Sequence, residues 1–220
     1  MFIVIEGLDG AGKSTQIKLM QNYLQQKNIE SKFLHFPRFD SPLYGELIAR
    51  FLRGEFGDTE SVDPTLVALI YAGDRHNAAE MMKGWLNEGC TVIVDRYVYS
   101  NIAYQCAKLS NIEERLKLRQ WIIDMEYSYF NIPKPDLNIF LDVPFSFTEK
   151  KLNEEREGKD RDYLKGKKDI HEANIDLQRK VRLIYLEQEL KDNKFKVIDC
   201  VDNNEMLPPD SIFERVKQYM

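Results

Sequence analysis

The sequence predicts an α/β fold in which one open parallel sheet of five strands has helices on both faces. Short apolar runs typical of buried strands alternate with longer segments whose apolar residues recur at helical spacing. Strands separated by helices imply right-handed crossovers, which leave neighbouring strands parallel. No internal repeat or linker divides the 220 residues. We therefore expect a single domain that spans residues 1–220.

Five apolar runs predict the strands. The first run is short, rich in β-branched residues and closed by Gly7, as expected for a buried parallel strand. The second ends at Pro37, which cannot donate a hydrogen bond to a neighbouring strand. The predicted strands cover residues 2–6, 32–36, 91–95, 137–143 and 195–200.

Terminal signals delimit the helices between these strands. Asp63 precedes Pro64, and this pair starts a helix because Asp caps the free N–H groups and Pro is tolerated at the first helical position. Gly54 and Gly89 each mark a helix end. The predicted helices cover residues 13–27, 43–52, 64–88, 97–108, 111–129, 145–158, 170–190 and those after 209.

Composition restricts the function classes. The formal charge is −5 and the sequence pI is about 5.4, which does not favour general binding to nucleic acid or to an anionic membrane. The sequence contains no apolar run long enough to span a membrane. We expect no cleavable signal peptide, because the N-terminus has no basic region and its apolar run ends at Glu6. Its three cysteines are far apart and lack metal-ligand spacing. We expect a cytoplasmic protein that binds neither membrane nor nucleic acid.

Residues 7–14 match the phosphate-binding motif G-x-x-x-x-G-K-[ST] between a predicted strand and a predicted helix. Glycines let successive N–H groups turn toward phosphate oxygens, and the helix N-terminus adds partial positive charge. Lys13 is placed to reach the β- and γ-phosphates. The motif predicts ATP or GTP with Mg²⁺. The predicted ATP-binding residues are Gly7, Gly10, Ala11, Gly12, Lys13, Ser14 and Thr15.

A carboxylate is expected beside the Mg²⁺ ion, and Asp95 is the candidate. Asp95 ends the third predicted strand, which this topology can place next to the first strand. The hydroxyl of Ser14 supplies the second predicted Mg²⁺ ligand. An ordinary loop aspartate is the alternative interpretation of Asp95.

Further motifs occur in a fixed order along the chain: EGLDGAGKSTQ at 6–16, FPR at 36–38, AGDR at 72–75, DRYVYS at 95–100 and AYQ at 103–105. Together they resemble the thymidylate kinase family of P-loop nucleoside-monophosphate kinases. The resemblance covers residues 1 to about 142, and the remainder fits a lid and a last strand. It implies a P-loop NTPase fold, a homodimer, and transfer of phosphate from ATP to dTMP, which yields dTDP and ADP.

The resemblance also implies roles for individual residues. Arg38 and Arg96 would hold the monophosphate, Arg75 would contact a thymine carbonyl, and Tyr71 would stack on the base. Tyr71 and Tyr104 are alternatively core aromatics, and Arg38 and Arg75 are alternatively surface ion pairs. The implied dTMP-binding residues are Asp9, Phe36, Arg38, Tyr71, Arg75, Arg96, Ser100, Tyr104 and Gln105. The implied catalytic residues are Asp9, Lys13, Arg96 and Arg161.

The segment 150–168 predicts a small basic lid. It carries eight basic and five acidic side chains, a charge of +3 in a chain of −5. Such a segment suits a flap that closes on polyphosphate, although charge runs are often solvated helix faces. Family members without an arginine at the position of Gly10 supply the catalytic arginine from the lid. Arg156 and Arg161 are the two candidates, and we favour Arg161 because it lies beyond the expected helix end.

The end of the second strand predicts the type of acceptor. A hydroxyl acceptor needs a general base, whereas a monophosphate is already anionic and needs cations around it. Arg38 offers a cation where a nucleoside kinase would offer a carboxylate, although Asp9 and Asp40 remain alternative bases. The sequence therefore favours a dTMP kinase. The two alternatives are a thymidine kinase of similar fold and a nucleotide-binding switch.

Overall fold

A computed structural model of the protein describes residues 1–153, 159–202 and 205–220; for residues 151–153 and 159–161 it describes the backbone alone. Five strands form the main sheet, all of them close to their predicted positions. Two further strands of two residues each, which the sequence did not predict, pair with each other in antiparallel orientation. The strands are β1 Phe2–Gly7, β2 Ser31–His35, β3 Thr91–Asp95, β4 Leu137–Asp142, β5 Phe195–Asp199, β6 Val201–Asp202 and β7 Glu205–Met206.

The five-stranded sheet has the order β2-β3-β1-β4-β5, and every neighbouring pair is parallel. This confirms the predicted fold class. β1 lies at the centre, between β3 and β4. Its register pairs Ile5 with Asp95, so the carboxyl ends of β1 and β3 meet at one edge of the sheet. The phosphate motif and Asp95 therefore lie side by side.

Helices connect the strands and cover both faces. Asp63 caps the third helix as predicted, because its carboxylate accepts from the backbone N–H of Thr65 at 2.7 Å. The helices are α1 Lys13–Gln26, α2 Tyr44–Leu52, α3 Pro64–Asn87, α4 Val98–Cys106, α5 Ile112–Ile123, α6 Phe145–Asn153, α7 Ile170–Ala173, α8 Ile175–Glu189 and α9 Pro209–Lys217.

Three predicted helices differ in detail. The helix predicted over 111–129 changes at Asp124–Tyr129 into a wider π-helical turn. The helix predicted over 170–190 is interrupted at Asn174, whose side chain caps the N-terminus of α8 instead. The helix predicted over 145–158 extends at least to Asn153, and residues 154–158 lie outside the described part.

The core has one layer on each face of the sheet. β1 alternates between them, since Phe2 and Val4 pack on the side of α3, α4 and α8, while Ile3 and Ile5 pack on the side of α1 and α9. Because both faces are buried, the strand is apolar from Phe2 to Ile5. Within the described ranges, no helix combines the length and the apolar character needed to cross a membrane.

Candidate active site

The phosphate motif forms a tight loop between β1 and α1. Gly10 and Gly12 have φ values of 79° and 83°, a left-handed conformation that a residue with a Cβ adopts only with strain. Gly12 precedes α1, and its carbonyl accepts from the N–H of Thr15 and of Gln16 at 3.1 Å. A Cβ on Gly7 would lie 3.2 Å from the Cβ of Ala11. The loop and the first turn of α1 thus offer N–H groups to an anion.

Lys13 is buried beside this loop. Its ammonium group donates to the carbonyl oxygens of Gly7 and Leu8 at 3.4 and 3.3 Å. It also lies 3.9 Å from the Asp95 carboxylate. Burial lowers the pKa of Lys13, and the positive charge of Arg96 lowers it further. An anion bound in the loop would offset this cost because it would place negative charge next to the ammonium group.

Asp95 presents a carboxylate oxygen toward the same place. Its Oδ1 is buried and has no hydrogen-bond partner among the described residues, while Oδ2 lies 3.3 Å from His35 Nδ1. Burial raises the pKa of Asp95, but Lys13 and His35 outweigh burial and hold it below the usual value. An ionised carboxylate and the exposed hydroxyl of Ser14 are hard oxygen ligands of the kind that Mg²⁺ prefers. The described side chains form no cluster of three or more acidic, histidine or cysteine ligands, so bound phosphates would complete the shell.

A cleft opens next to the phosphate loop. It encloses about 680 Å³ including its mouth, and its walls come from the loop after β2, from α3 and α4, and from residues 163–172. Eight of the nine side chains predicted to bind dTMP line it. These eight are Asp9, Phe36, Tyr71, Arg75, Arg96, Ser100, Tyr104 and Gln105.

The end of the cleft nearest the loop, here called the phosphate end, is built around Arg96. Its backbone has a φ of 64°, the left-handed region that few non-glycine residues occupy. Its guanidinium donates to Asp9 at 2.9 Å and to Ser100 at 3.3 Å, and it lies 5.3 Å from the ring centre of Tyr104. Burial raises the pKa of Asp9, but Arg96 and Lys13 outweigh burial and hold it well below the usual value. The phosphate end is therefore a charged group of two cations and one carboxylate.

Glu6 supports this end from beneath. This fully buried carboxylate accepts hydrogen bonds from the hydroxyls of Ser100 and Tyr185 at 2.5 and 2.9 Å, and from the backbone N–H of Tyr97 at 3.0 Å. Burial raises the pKa of Glu6. Glu6 opens the motif at 6–16 but had no predicted role, although an acidic residue at the end of an otherwise apolar strand marks it in the sequence.

The opposite end, here called the base end, is built around Arg75. Its guanidinium makes two parallel hydrogen bonds to Glu126 at 2.5 and 2.7 Å. Asn101 donates to the same carboxylate at 3.0 Å. Gln105 is buried nearby, and its Oε1 has no hydrogen-bond partner within the part of the chain described. Together with the ring of Tyr71, these groups offer flat apolar area and a few directed polar atoms, as a nucleobase requires.

A pair of stacked rings covers the cleft. Tyr163 lies on Phe39 with ring centres 3.7 Å apart and planes 7° apart. Its hydroxyl donates to Asp169 at 3.0 Å, and its carbonyl accepts from Arg53 at 2.7 Å. Burial raises the pKa of Asp169 to about 7, with smaller contributions from Glu172 and Asp9. Tyr163, in the second part of the predicted lid segment, thus lines the cleft.

Comparisons with known proteins agree with this geometry. A sequence model described as thymidylate kinase matches residues 5–207. The chain belongs to the thymidylate kinase family. A probable thymidylate kinase of Thermococcus kodakarensis is 33% identical over 210 residues, 93% of this chain and 92% of that relative. The thymidylate kinase of Plasmodium falciparum is 31% identical and covers 89% and 91%. The solved thymidylate kinase structure from Candida albicans has a TM-score of 0.73 at 27% identity and covers 99% and 89%.

Among the residues predicted from this family, Arg38 is placed differently from the rest. It is not one of the described residues that line the cleft. Its guanidinium instead donates to the side chain and the carbonyl of Asp74 at 3.0 and 2.9 Å, and to Asn77 at 2.9 Å. A buried carboxylate on α3 thus binds the arginine that the resemblance assigned to the monophosphate.

The two lid arginines lie beyond what the structure describes. Arg156 falls in the range outside the described residues, and of Arg161 only the backbone is described, in a 3₁₀-helical turn at Lys159–Leu164.

Several residues that line the cleft were not predicted to bind a ligand, because no sequence motif marks them. These residues are Phe39, Asn101, Tyr163, Asp169 and His171.

Proposed function

We propose that this thymidylate kinase family member transfers the terminal phosphoryl group of ATP to dTMP, which yields dTDP and ADP. The observation that carries the proposal is the junction at Arg96 and Asp9. There the phosphate loop and the cleft meet, with one ion pair of 2.9 Å between them. A monophosphate group in the cleft would lie beside this pair, at the edge of the sheet where the donor phosphates would lie.

The protonation state of Asp9 supports a monophosphate acceptor over a hydroxyl acceptor. A hydroxyl needs a base whose pKa lies near the working pH. Burial raises the pKa of Asp9, but the charges of Arg96 and Lys13 outweigh burial and hold it well below its usual value. Asp9 is therefore a weak base. An anionic acceptor instead needs positive charge, and these two cations are in place.

On this proposal each residue of the loop has a task. The N–H groups of Gly7, Gly10, Ala11, Gly12, Lys13, Ser14 and Thr15 hold the donor phosphates, and the Lys13 ammonium contacts their terminal oxygens. Ser14 and Asp95 are the Mg²⁺ ligands, supported by the unpartnered buried oxygen of Asp95. When bound, Mg²⁺ neutralises phosphate charge.

The acceptor residues then position dTMP for attack. Arg96 holds the monophosphate, Tyr104 and Asp9 lie along the sugar, and Arg75, Tyr71, Ser100, Gln105 and Phe36 surround the base. Phosphoryl transfer proceeds through a loose transition state, so positioning and charge stabilisation carry most of the catalysis. We assign the remaining catalytic cation to Arg161, because Gly10 leaves the loop without an arginine. Arg38 would join Arg96 at the monophosphate through Nη1, since Nε and Nη2 already donate to Asp74 and Asn77.

A coupled assay with ATP and each of dTMP, dUMP, dCMP, UMP and thymidine tests the proposal. We expect dTMP to be the best acceptor by kcat/KM. Turnover of thymidine without turnover of dTMP would replace the proposal by a nucleoside kinase. Calorimetry with dTMP addresses the switch alternative, since a switch has no use for an acceptor pocket and would not bind dTMP.

We also propose that the chain is one kinase domain and forms a homodimer through the helices that follow Asp63 and Asp95, α3 and α4, in the cytoplasm. Leu66, Leu69 and Met81 on α3 are exposed, whereas Met82 is buried in the core. Three large apolar side chains along one helix support a partner surface. Light scattering should give twice the chain mass, and Leu69→Glu should shift it toward the monomer. A monomeric wild-type chain at micromolar concentration would reject this part.

A further inference from the structure

A buried carboxylate, Glu126, lies behind the base end of the cleft. It is 0% exposed and belongs to the π-helical turn Asp124–Tyr129. The wider turn is visible in the bond from the N–H of Phe130 to the carbonyl of Met125 at 2.8 Å. Such turns are rare and often occur at functional sites. Here the turn contains Glu126.

Glu126 fixes the direction of two residues that line the cleft. Nε and Nη2 of Arg75 donate to its two oxygens, which leaves Nη1 for a ligand. The Nδ2 group of Asn101 donates to Glu126 and to the carbonyl of Ala68, both at 3.0 Å. Since both partners only accept, the amide orientation of Asn101 is determined. Its Oδ1 is buried and has no hydrogen-bond partner in the described part of the chain.

The base end therefore presents an N–H donor and an unpartnered carbonyl acceptor from two residues held by one carboxylate. A carbonyl beside a ring N–H, as in thymine or uracil, complements this pair. Cytosine presents an amino group and an unprotonated ring nitrogen instead. The pairing with Glu126 also cancels the charge of Arg75, so that this end favours an uncharged ring over a phosphate group.

We propose that Glu126 is a positioning residue for base selectivity: it orients Arg75 and Asn101 toward a carbonyl and an N–H of the base, and it neutralises Arg75. The inference rests on the proposed function and deepens it. Glu126 acts through its two partners and does not itself touch the acceptor.

Steady-state kinetics of Glu126→Gln with dTMP and dCMP at saturating ATP test this role. Gln keeps the volume but turns an N–H group toward two donors, which disturbs both partners. We expect KM for dTMP to rise at least tenfold while kcat stays within about threefold, and the ratio of kcat/KM for dTMP over dCMP to fall at least tenfold. Glu114→Gln, which alters an exposed carboxylate on α5, is the control and should change neither value.

Sulfate separates the charge effect from the orientation effect. In Glu126→Gln the charge of Arg75 is uncompensated, so inhibition by sulfate in competition with dTMP should strengthen at least threefold. The double variant Arg75→Met with Glu126→Met replaces the pair by apolar groups, a change that buried ion pairs often tolerate. It should lose the same selectivity without the gain in sulfate inhibition.

Unchanged dTMP-to-dCMP selectivity in folded Glu126→Gln would overturn the inference, whether or not the melting temperature of the variant shifts. Should that variant not fold, unchanged selectivity in the double variant overturns it equally. Wild-type turnover of dTMP tests the proposed function separately, because its absence would remove the function, whereas an unchanged ratio would remove only the role of Glu126.

Discussion

The two ends of the cleft each contain an arginine paired with a carboxylate, yet the two pairs differ in strength. Arg96 makes one short contact with Asp9, whose side chain is 25% exposed. Arg75 makes two with Glu126, in a pair whose side chains are 2% and 0% exposed. A loosely held guanidinium is free to exchange a carboxylate for a phosphate. A doubly held one remains with its partner.

The energetic consequences follow from burial. Removing one partner of a buried pair leaves an uncompensated charge and costs about 3–5 kcal/mol, whereas an exposed pair contributes about 0–1 kcal/mol. The Arg75 pair is thus part of the fold, while the Arg96 pair, whose side chains are 11% and 25% exposed, is partly open to solvent and is available to a ligand. The same residue type therefore serves an uncharged ring at one end and an anion at the other.

Arg96→Met should give the largest loss of activity among these variants. A small loss would contradict the contrast between the two ends of the cleft. Loss of the cation leaves the acceptor phosphate without its partner, so kcat/KM for dTMP should fall about a hundredfold to a thousandfold. Initial rates with ATP and dTMP measure this. Arg119→Met, remote from the cleft on α5, is the control, and equal losses in both variants would remove Arg96 from the phosphate end.

Tyr71→Ala sharpens the comparison at the base end. Stacking on a base typically contributes about 1–3 kcal/mol, so KM for dTMP should rise about fivefold to a hundredfold. The value of kcat should change less, because the reacting atoms lie at the other end. Tyr71→Phe keeps the ring and should keep the KM. A fall in kcat with unchanged KM would contradict the assignment.

Asp169→Asn tests how the unfolding free energy depends on pH through the carboxyl group that accepts from Tyr163. Because the folded-state pKa of Asp169 is raised to about 7, ionisation penalises the folded state. The penalty is absent below about pH 4, grows as the pH rises toward 7 and is then constant. The variant should be more stable than the wild type by about 1–3 kcal/mol at pH 8.5 and by less at pH 5. Thermal melts at the two pH values measure this, and an equal difference at both would disprove it.

Tyr163→Phe should give the smallest effect, because the ring stays over Phe39 and only the hydrogen bond to Asp169 is lost. The expected cost is about 0.5–1.5 kcal/mol in unfolding free energy, measured by urea denaturation. The value of kcat should remain within a few-fold of the wild type. A loss of turnover beyond tenfold would mean that the hydroxyl contacts the reactants, and would extend the phosphate end to the covering rings.

The sheet and the phosphate loop could be predicted from the sequence because their signals are local. A buried strand shows itself within five residues, and the loop motif within eight. The neighbourhood of Asp95 and Gly7 also followed, because parallel topology brings carboxyl ends of strands together. These features depend on residues that are adjacent in sequence or related by a simple rule of connection.

The remaining contacts join residues far apart in sequence and carry no local mark. Glu126 lies 51 residues from Arg75, in a segment predicted as a regular helix that changes into a π-helical turn. Tyr163 stacks on Phe39, although the two residues lie far apart in the sequence. Arg38 donates to the buried carboxylate of Asp74, 36 residues along the chain, a contact that the motifs at 36–38 and 72–75 do not reveal.

The left-handed backbone at residue 96 has a consequence for how this protein could be improved. A side chain in that conformation costs about 1–2 kcal/mol, a cost that glycine avoids. A search for thermostable variants would therefore tend to recover glycine or asparagine at this position, and each such clone would have lost its acceptor cation. Stability screens on this enzyme need a paired measurement of turnover, since a strained backbone and the proposed acceptor cation occupy the same residue.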